Sequence, residues 1–157
     1  MDVHIIQQSP IRIAKVRHTG PYEQISSAFE RLWEWVEAHQ VPASRTIGLY
    51  FDNPDFVPTD ELRSAACVEI PHSYDVMNRT GTPVEVGMIS GGDYATTRYM
   101  GPYEAMEPVW SEFTQHVENN LKRALSDDPA MEVYVNDPSD TPADRLITDL
   151  YLPLAKR

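Results

Sequence analysis

Toward the end of the chain, acids and tyrosines recur at alternate positions: Glu132 and Tyr134 in the stretch 131–135, then Asp149 and Tyr151 in the stretch 146–154. A carboxylate set among aromatic rings suits a flat organic cation, which it holds by charge pairing together with ring stacking and cation-π attraction. Taken out of water, Glu132 is also a candidate proton donor or acceptor. Strand alternation decides which of these groups can meet. Leu146, Thr148, Leu150, Leu152 and Leu154 fall on one face of their strand, and Ile147, Asp149 and Tyr151 on the other.

The leucine face is expected beneath helices, with Met131, Val133 and Val135 on the same buried side. That leaves Glu132 and Tyr134 to share the opposite face with Asp149 and Tyr151. Earlier in the chain, Ile47, Leu49, Phe51, Leu62, Ala66, Val68 and Ile70 read as the helix side, and Gly48, Tyr50, Arg63, Ala65, Cys67 and Glu69 as the opposite side. If those two opposite faces meet, the small residues leave space that the acids and tyrosines line, giving a pocket with an acidic floor. The same alternation also describes the solvated face of an antiparallel sheet, where Glu and Tyr are common. Alternation alone does not choose between the two.

The elements that must position these groups are written twice. Gly20-Pro21-Tyr22-Glu23 returns as Gly101-Pro102-Tyr103-Glu104, and at the same offset of 81 residues Ile25, Phe29, Leu32 and Val36 fall on Met106, Trp110, Phe113 and Val117, the buried stripe of a helix. After the helix the offset becomes 84, pairing Tyr50, Pro54, Pro58 and Leu62 with Tyr134, Pro138, Pro142 and Leu146. Each copy opens with two strands read as a hairpin, at Ser9-Pro10 and at Gly91-Gly92. A helix follows, with Gly at the cap and Pro21 or Pro102 at the first helical position. Two further strands complete each copy. The pattern predicts an α+β domain over residues 1–157, with repeat one at 1–71, a linker at 72–83 and repeat two at 84–157. Trp110 and Trp33 are expected in the core and Trp35 half-exposed. Tyr22 and Tyr103, on the first helical turn, suit a groove rim and surface packing equally.

Composition narrows the function. With 24 acidic and 13 basic residues, a net charge of −11, the chain lacks the clustered Lys and Arg of a nucleic-acid surface and favours cationic ligands or basic proteins. No apolar run is long enough to span a bilayer, and Met1-Asp2-Val3-His4 carries no secretion leader, so no membrane association is expected and a cytoplasmic setting is. The lone Cys67 fits a reducing compartment. The histidines at 4, 18, 39, 72 and 116 lack metal-ligand spacing, and no phosphate loop, nucleophile elbow or dinucleotide fingerprint is present. Neither a metal nor a cofactor is expected.

The doubled strand-strand-helix-strand-strand unit, the two Gly-Pro-Tyr segments, and the strands Gly48-Leu49-Tyr50 and Glu132-Val133-Tyr134, each followed by an Asp/Asn-Pro turn, together resemble the GyrI-like superfamily, as does the ending 149–154. That superfamily includes effector-binding domains of AraC-type and multidrug-sensing transcription regulators. The resemblance covers nearly the whole chain. It implies a curved antiparallel sheet with two helices and a central groove for small lipophilic or cationic aromatic molecules. The groove glutamate would fall on Glu132, with Tyr134 beside it, Trp110 as a second wall, and Tyr151, Tyr50 and Tyr103 as further lining. Three roles are implied: simple binding of such compounds, hydrolysis of cyclopropanoid DNA-alkylating toxins with Glu132 as the catalytic acid, and inhibition of DNA gyrase as a protein partner. A fused DNA-reading module is not expected, because the repeats occupy the chain almost end to end.

Overall fold

A computed structural model describes residues 1–75 and 83–156 of the chain. It is α+β, with eight strands and two α-helices among those residues. The chain divides into two compact units, Pro10–Ser90 and Met1–Ser9 with Gly91–Arg157. The first holds β2 (Ile11–Thr19), α1 (Ser26–His39), β3 (Thr46–Tyr50), β4 (Arg63–Glu69) and β5 (Val84–Ile89). The second holds β1 (His4–Gln8), β6 (Gly92–Met100), α2 (Glu107–Gln115), β7 (Ala130–Tyr134) and β8 (Ile147–Pro153). Within the units the strands run antiparallel in the orders β3-β4-β2-β5 and β1-β6-β8-β7.

Those orders correct both expected hairpins. β1 pairs with β6, His4 opposite Thr96 and Gln8 opposite Gly92, whereas β5 pairs with β2, Ile11 opposite Ile89 and Val16 opposite Val84. Each repeat therefore gives its first strand to the other unit, and the chain crosses at 9–10 and 90–91. Alternation specifies that a segment is a strand and which face is apolar, but not its partner, and β1 and β5 offer their edges equally well. Of the expected linker, residues 76–82 lie outside the described residues. Arg12 fixes the approach to it by donating from Nη1 to the carbonyls of Pro71 and His72, at 2.9 and 3.3 Å.

Each unit packs its helix on one face of its strands. Ala28, Leu32, Trp35 and Val36 of α1 bury against Ala14, Val16, Ala66 and Val68, while Phe113 and Val117 cluster with Ala95, Leu150 and Leu152. Positions 28, 32, 35 and 36 form one helical stripe. Trp35 thus lies in the core at 9 % exposure and Trp33, off the stripe, is 38 % exposed, the reverse of the expectation.

Register also corrects the expected faces. In an antiparallel ladder, directly opposed residues project to the same side. Glu132 stands opposite Leu150 and Tyr134 opposite Thr148, so both face α2; Tyr151 stands opposite Met131 and Asp149 opposite Val133, on the far side. The same holds in the other unit, where Gly48 and Tyr50 oppose Ala66 and Ser64, and Ile47 and Leu49 oppose Cys67 and Ala65. The reason is that both faces are buried: Met131 and Val133 are 0 % and 6 % exposed, like Leu150 at 0 %. Hydrophobicity then no longer labels the helix side, and only the ladder does.

The Gly-Pro-Tyr segments start the helices less directly than expected. Pro21 and Pro102 are extended, at ψ 135° and 148°, and precede single 3-10 turns at Tyr22–Gln24 and Tyr103–Ala105, so neither is the first helical residue. The glycines carry φ of +126° and +150°, accessible to little but glycine, and donate their N–H to Leu62 and Leu146, each at 2.8 Å. A Cβ on Gly101 would lie 2.7 Å from the Tyr99 hydroxyl oxygen, whereas at Gly20 the nearest atom is 3.8 Å away. Gly101→Ala is therefore expected to destabilise by roughly 3 kcal/mol and Gly20→Ala by roughly 1 kcal/mol. Thermal melting tests this at about 2–4 °C per kcal/mol; equal losses would show that the Tyr99 contact contributes nothing.

Candidate functional site

The amphipathic stripe of α2 turns Trp110 toward the sheet, where its ring packs 5.8 Å from Phe113. β7 presents Glu132 and, two residues on, Tyr134 to the same side. There the indole Nε1–H donates to Glu132 Oε2 at 2.7 Å, and the Tyr134 hydroxyl donates to Oε1 at 2.8 Å. Both distances are those of well-formed hydrogen bonds. Glu132 is 9 % exposed, a depth at which a carboxylate is costly unless its oxygens are satisfied. Indole can only donate, so helix and strand each supply what the acid lacks.

Tyr103, carried by the 3-10 turn ahead of α2, closes this cluster: its ring meets that of Tyr134 edge-on at 5.6 Å. Burial holds its phenol above the ordinary tyrosine value, with the charges of Asp137 and Glu132 adding to the effect. Tyr99 buttresses the turn by donating to the Pro102 carbonyl at 2.7 Å, as His18 Nε2 reaches the Pro21 carbonyl at 3.1 Å in the first repeat. Thr148, between Tyr99 and Tyr134 in the ladder, is 0 % exposed, and its hydroxyl has no hydrogen-bond partner among the described residues. Such a group costs about 1–3 kcal/mol. Strand alternation alone places Thr148 simply among the residues of the leucine face. The available signal was a hydroxyl amid leucines at the position that Ser64 occupies in repeat one.

The remaining expected residues lie elsewhere. Tyr151 is on the far face of β8, where its ring packs 6.2 Å from Tyr94, and Asp149 there takes a two-pronged ion pair from Arg98 at 2.8 and 3.1 Å. Tyr50 belongs to the unit Pro10–Ser90 and packs 4.9 Å from Tyr22, repeating the Tyr134–Tyr103 pair. Phe29 and Gly48 occupy in that repeat the positions of Trp110 and Glu132, so the acid and its indole donor occur in one repeat. Cys67 is buried, and desolvation pushes its thiol up to about 12, which leaves no thiolate for catalysis at neutral pH. Among the described residues no cluster of His, Cys, Asp and Glu could hold a metal ion, and no helix is long and apolar enough to cross a membrane.

Comparison with known proteins bears on the family and the fold. A protein of Citrobacter rodentium named DNA gyrase inhibitor is 33 % identical over 138 residues, 87 % of each chain. Among solved structures, the EcmrR C-terminal domain matches 99 % of this chain and 98 % of its own with a TM-score of 0.83 at 14 % identity. SAV2435 bound to tetraphenylphosphonium matches 99 % of this chain and 94 % of its own with a TM-score of 0.67 at 15 % identity. The family model of the GyrI-like small molecule binding domain covers residues 1–155. The match runs over nearly the whole length and fits the doubled α+β unit, so the chain belongs to the GyrI-like small-molecule-binding domains.

Proposed function

We propose that the chain binds lipophilic aromatic cations at the site built around Glu132. The observation that carries this reading is a nearly buried carboxylate whose two oxygens each accept a hydrogen bond from an aromatic residue, Trp110 or Tyr134. A quaternary cation has no N–H to offer, so it does not compete for those oxygens. It takes the charge through space in a poorly screened setting and meets the rings of Trp110, Tyr134 and Tyr103 by cation-π attraction. The chain's net charge of −11 draws such ligands in. Support also comes from SAV2435, a protein of the same fold, solved with tetraphenylphosphonium bound.

A second reading rests on a different observation, the 33 % identity to a protein named DNA gyrase inhibitor. In that reading an exposed surface meets gyrase, and the interior acid plays no part.

Calorimetric titration with tetraphenylphosphonium tests the first reading. Glu132→Gln keeps the shape and removes the charge, so affinity should fall at least about tenfold, or ~1.4 kcal/mol, while neutral triphenylphosphine oxide should bind both forms alike. Equal loss for both compounds would mean that the mutation damages the site rather than its charge. Mass spectrometry after incubation with a cyclopropane-bearing alkylator separates binding from turnover: recovery of intact compound fits a binding domain, whereas ring-opened product from the wild type and not from Glu132→Gln would make the chain a hydrolase. For the second reading, inhibition of gyrase supercoiling should survive Glu132→Gln undiminished; no inhibition by the wild type would dismiss it.

A further inference from the structure

Thr148 is fully buried, yet its hydroxyl has no hydrogen-bond partner among the described residues. Folded chains rarely leave such a group, and valine would fill the same space without the polar atom. Its place in the ladder is specific. Thr148 stands opposite Tyr134 on one side and Tyr99 on the other, and diagonal to Glu132, whose own partner is Leu150. It therefore projects from the face that carries the acid, with side-chain origins about 7–8 Å apart. Ser64 repeats the observation in the first repeat: opposite Tyr50, 2 % exposed, and with Oγ likewise unpartnered among the described residues. Both repeats thus keep a hydroxyl, Thr148 or Ser64, at a position where the fold makes no use of it.

We infer that Thr148 is a ligand-contacting, specificity-determining residue whose hydroxyl hydrogen-bonds a polar atom of the bound molecule. The preferred ligand is then an aromatic cation that carries a hydrogen-bonding oxygen or nitrogen on a ring edge away from its charge. Glu132 supplies attraction that any cation of the right size feels, and Thr148 sorts among those cations. Tyr103 packs edge-on against Tyr134, the residue that stands opposite Thr148 in the ladder. This inference rests on the cation-binding reading of Glu132.

The test is calorimetric titration of the whole chain with tetraphenylphosphonium and with the ortho-, meta- and para-hydroxyphenyl triphenylphosphonium isomers, which share its charge. The wild type is expected to bind the best hydroxylated isomer roughly fivefold more tightly than the parent ion. Thr148→Val should abolish that preference, bringing the affinities of the best hydroxylated isomer and the parent ion together, whereas Thr148→Ser should retain the preference. Thr148→Val should also melt at a higher temperature, because it removes a buried hydroxyl that has no partner. A lower melting temperature, no preferred isomer, or equal loss of affinity for all four ions would overturn the inference while leaving a Glu132-dependent cation site standing. Failure of the wild type to bind tetraphenylphosphonium at all would remove the cation reading and this inference with it.

Discussion

The site depends on one constraint: a carboxylate carried almost out of water must have its oxygens satisfied, or the fold loses several kcal/mol. Trp110 and Tyr134 meet that demand at 2.7 and 2.8 Å, and in doing so they tie α2 to β7 at a defined height and rotation. If the indole turned away, Glu132 Oε2 would lose the bond it accepts at 2.7 Å. The same two bonds that stabilise Glu132 hold two aromatic faces beside it, and Tyr103 packs on one of them. In the proposed reading, stability and recognition are served by the same atoms, and the two bonds let the acid sit where a hydrophobic residue would otherwise belong.

The two repeats separate scaffold from site. What both retain is structural: the glycine N–H donating to a leucine carbonyl, the side chain that reaches the following proline carbonyl, and the edge-on tyrosine pair. What differs is chemical: Phe29 and Gly48 stand where Trp110 and Glu132 do. Losing the acid also removes the need for an indole donor, so a plain aromatic ring suffices there. The hydroxyl of Ser64 or Thr148 cuts across this division, being present in both repeats and bonded in neither among the described residues.

The exchange of β1 and β5 makes the sequence repeat differ from the folded unit. A cut between the repeats would deprive each four-stranded order of an edge strand, exposing ladder groups on β6 and on β2. Duplication and mutual completion are thus coupled, because the partner that satisfies each strand's backbone is supplied by the other copy.

Much of this was legible in the sequence. Repetition revealed the doubled α+β unit, helical periodicity placed Trp110 on the inner stripe, and strand composition located β7 and β8 with Glu132 and Tyr134 at alternate positions, because these signals are local and depend on spacing along one segment. Pairing and facing were not legible. Whether Ser9-Pro10 closes a hairpin, and whether Glu132 shares a side with Tyr151 or with Leu150, depends on which strand lies alongside and in what register. With apolar residues on both faces of β7 and β8, hydrophobicity is blind to that choice. The sequence by itself determined which residues could do chemistry; the tertiary ladder decided which of them meet, since a hydrogen bond from Trp110 to Glu132 exists only once a helix is packed over the strand that the register turns toward it.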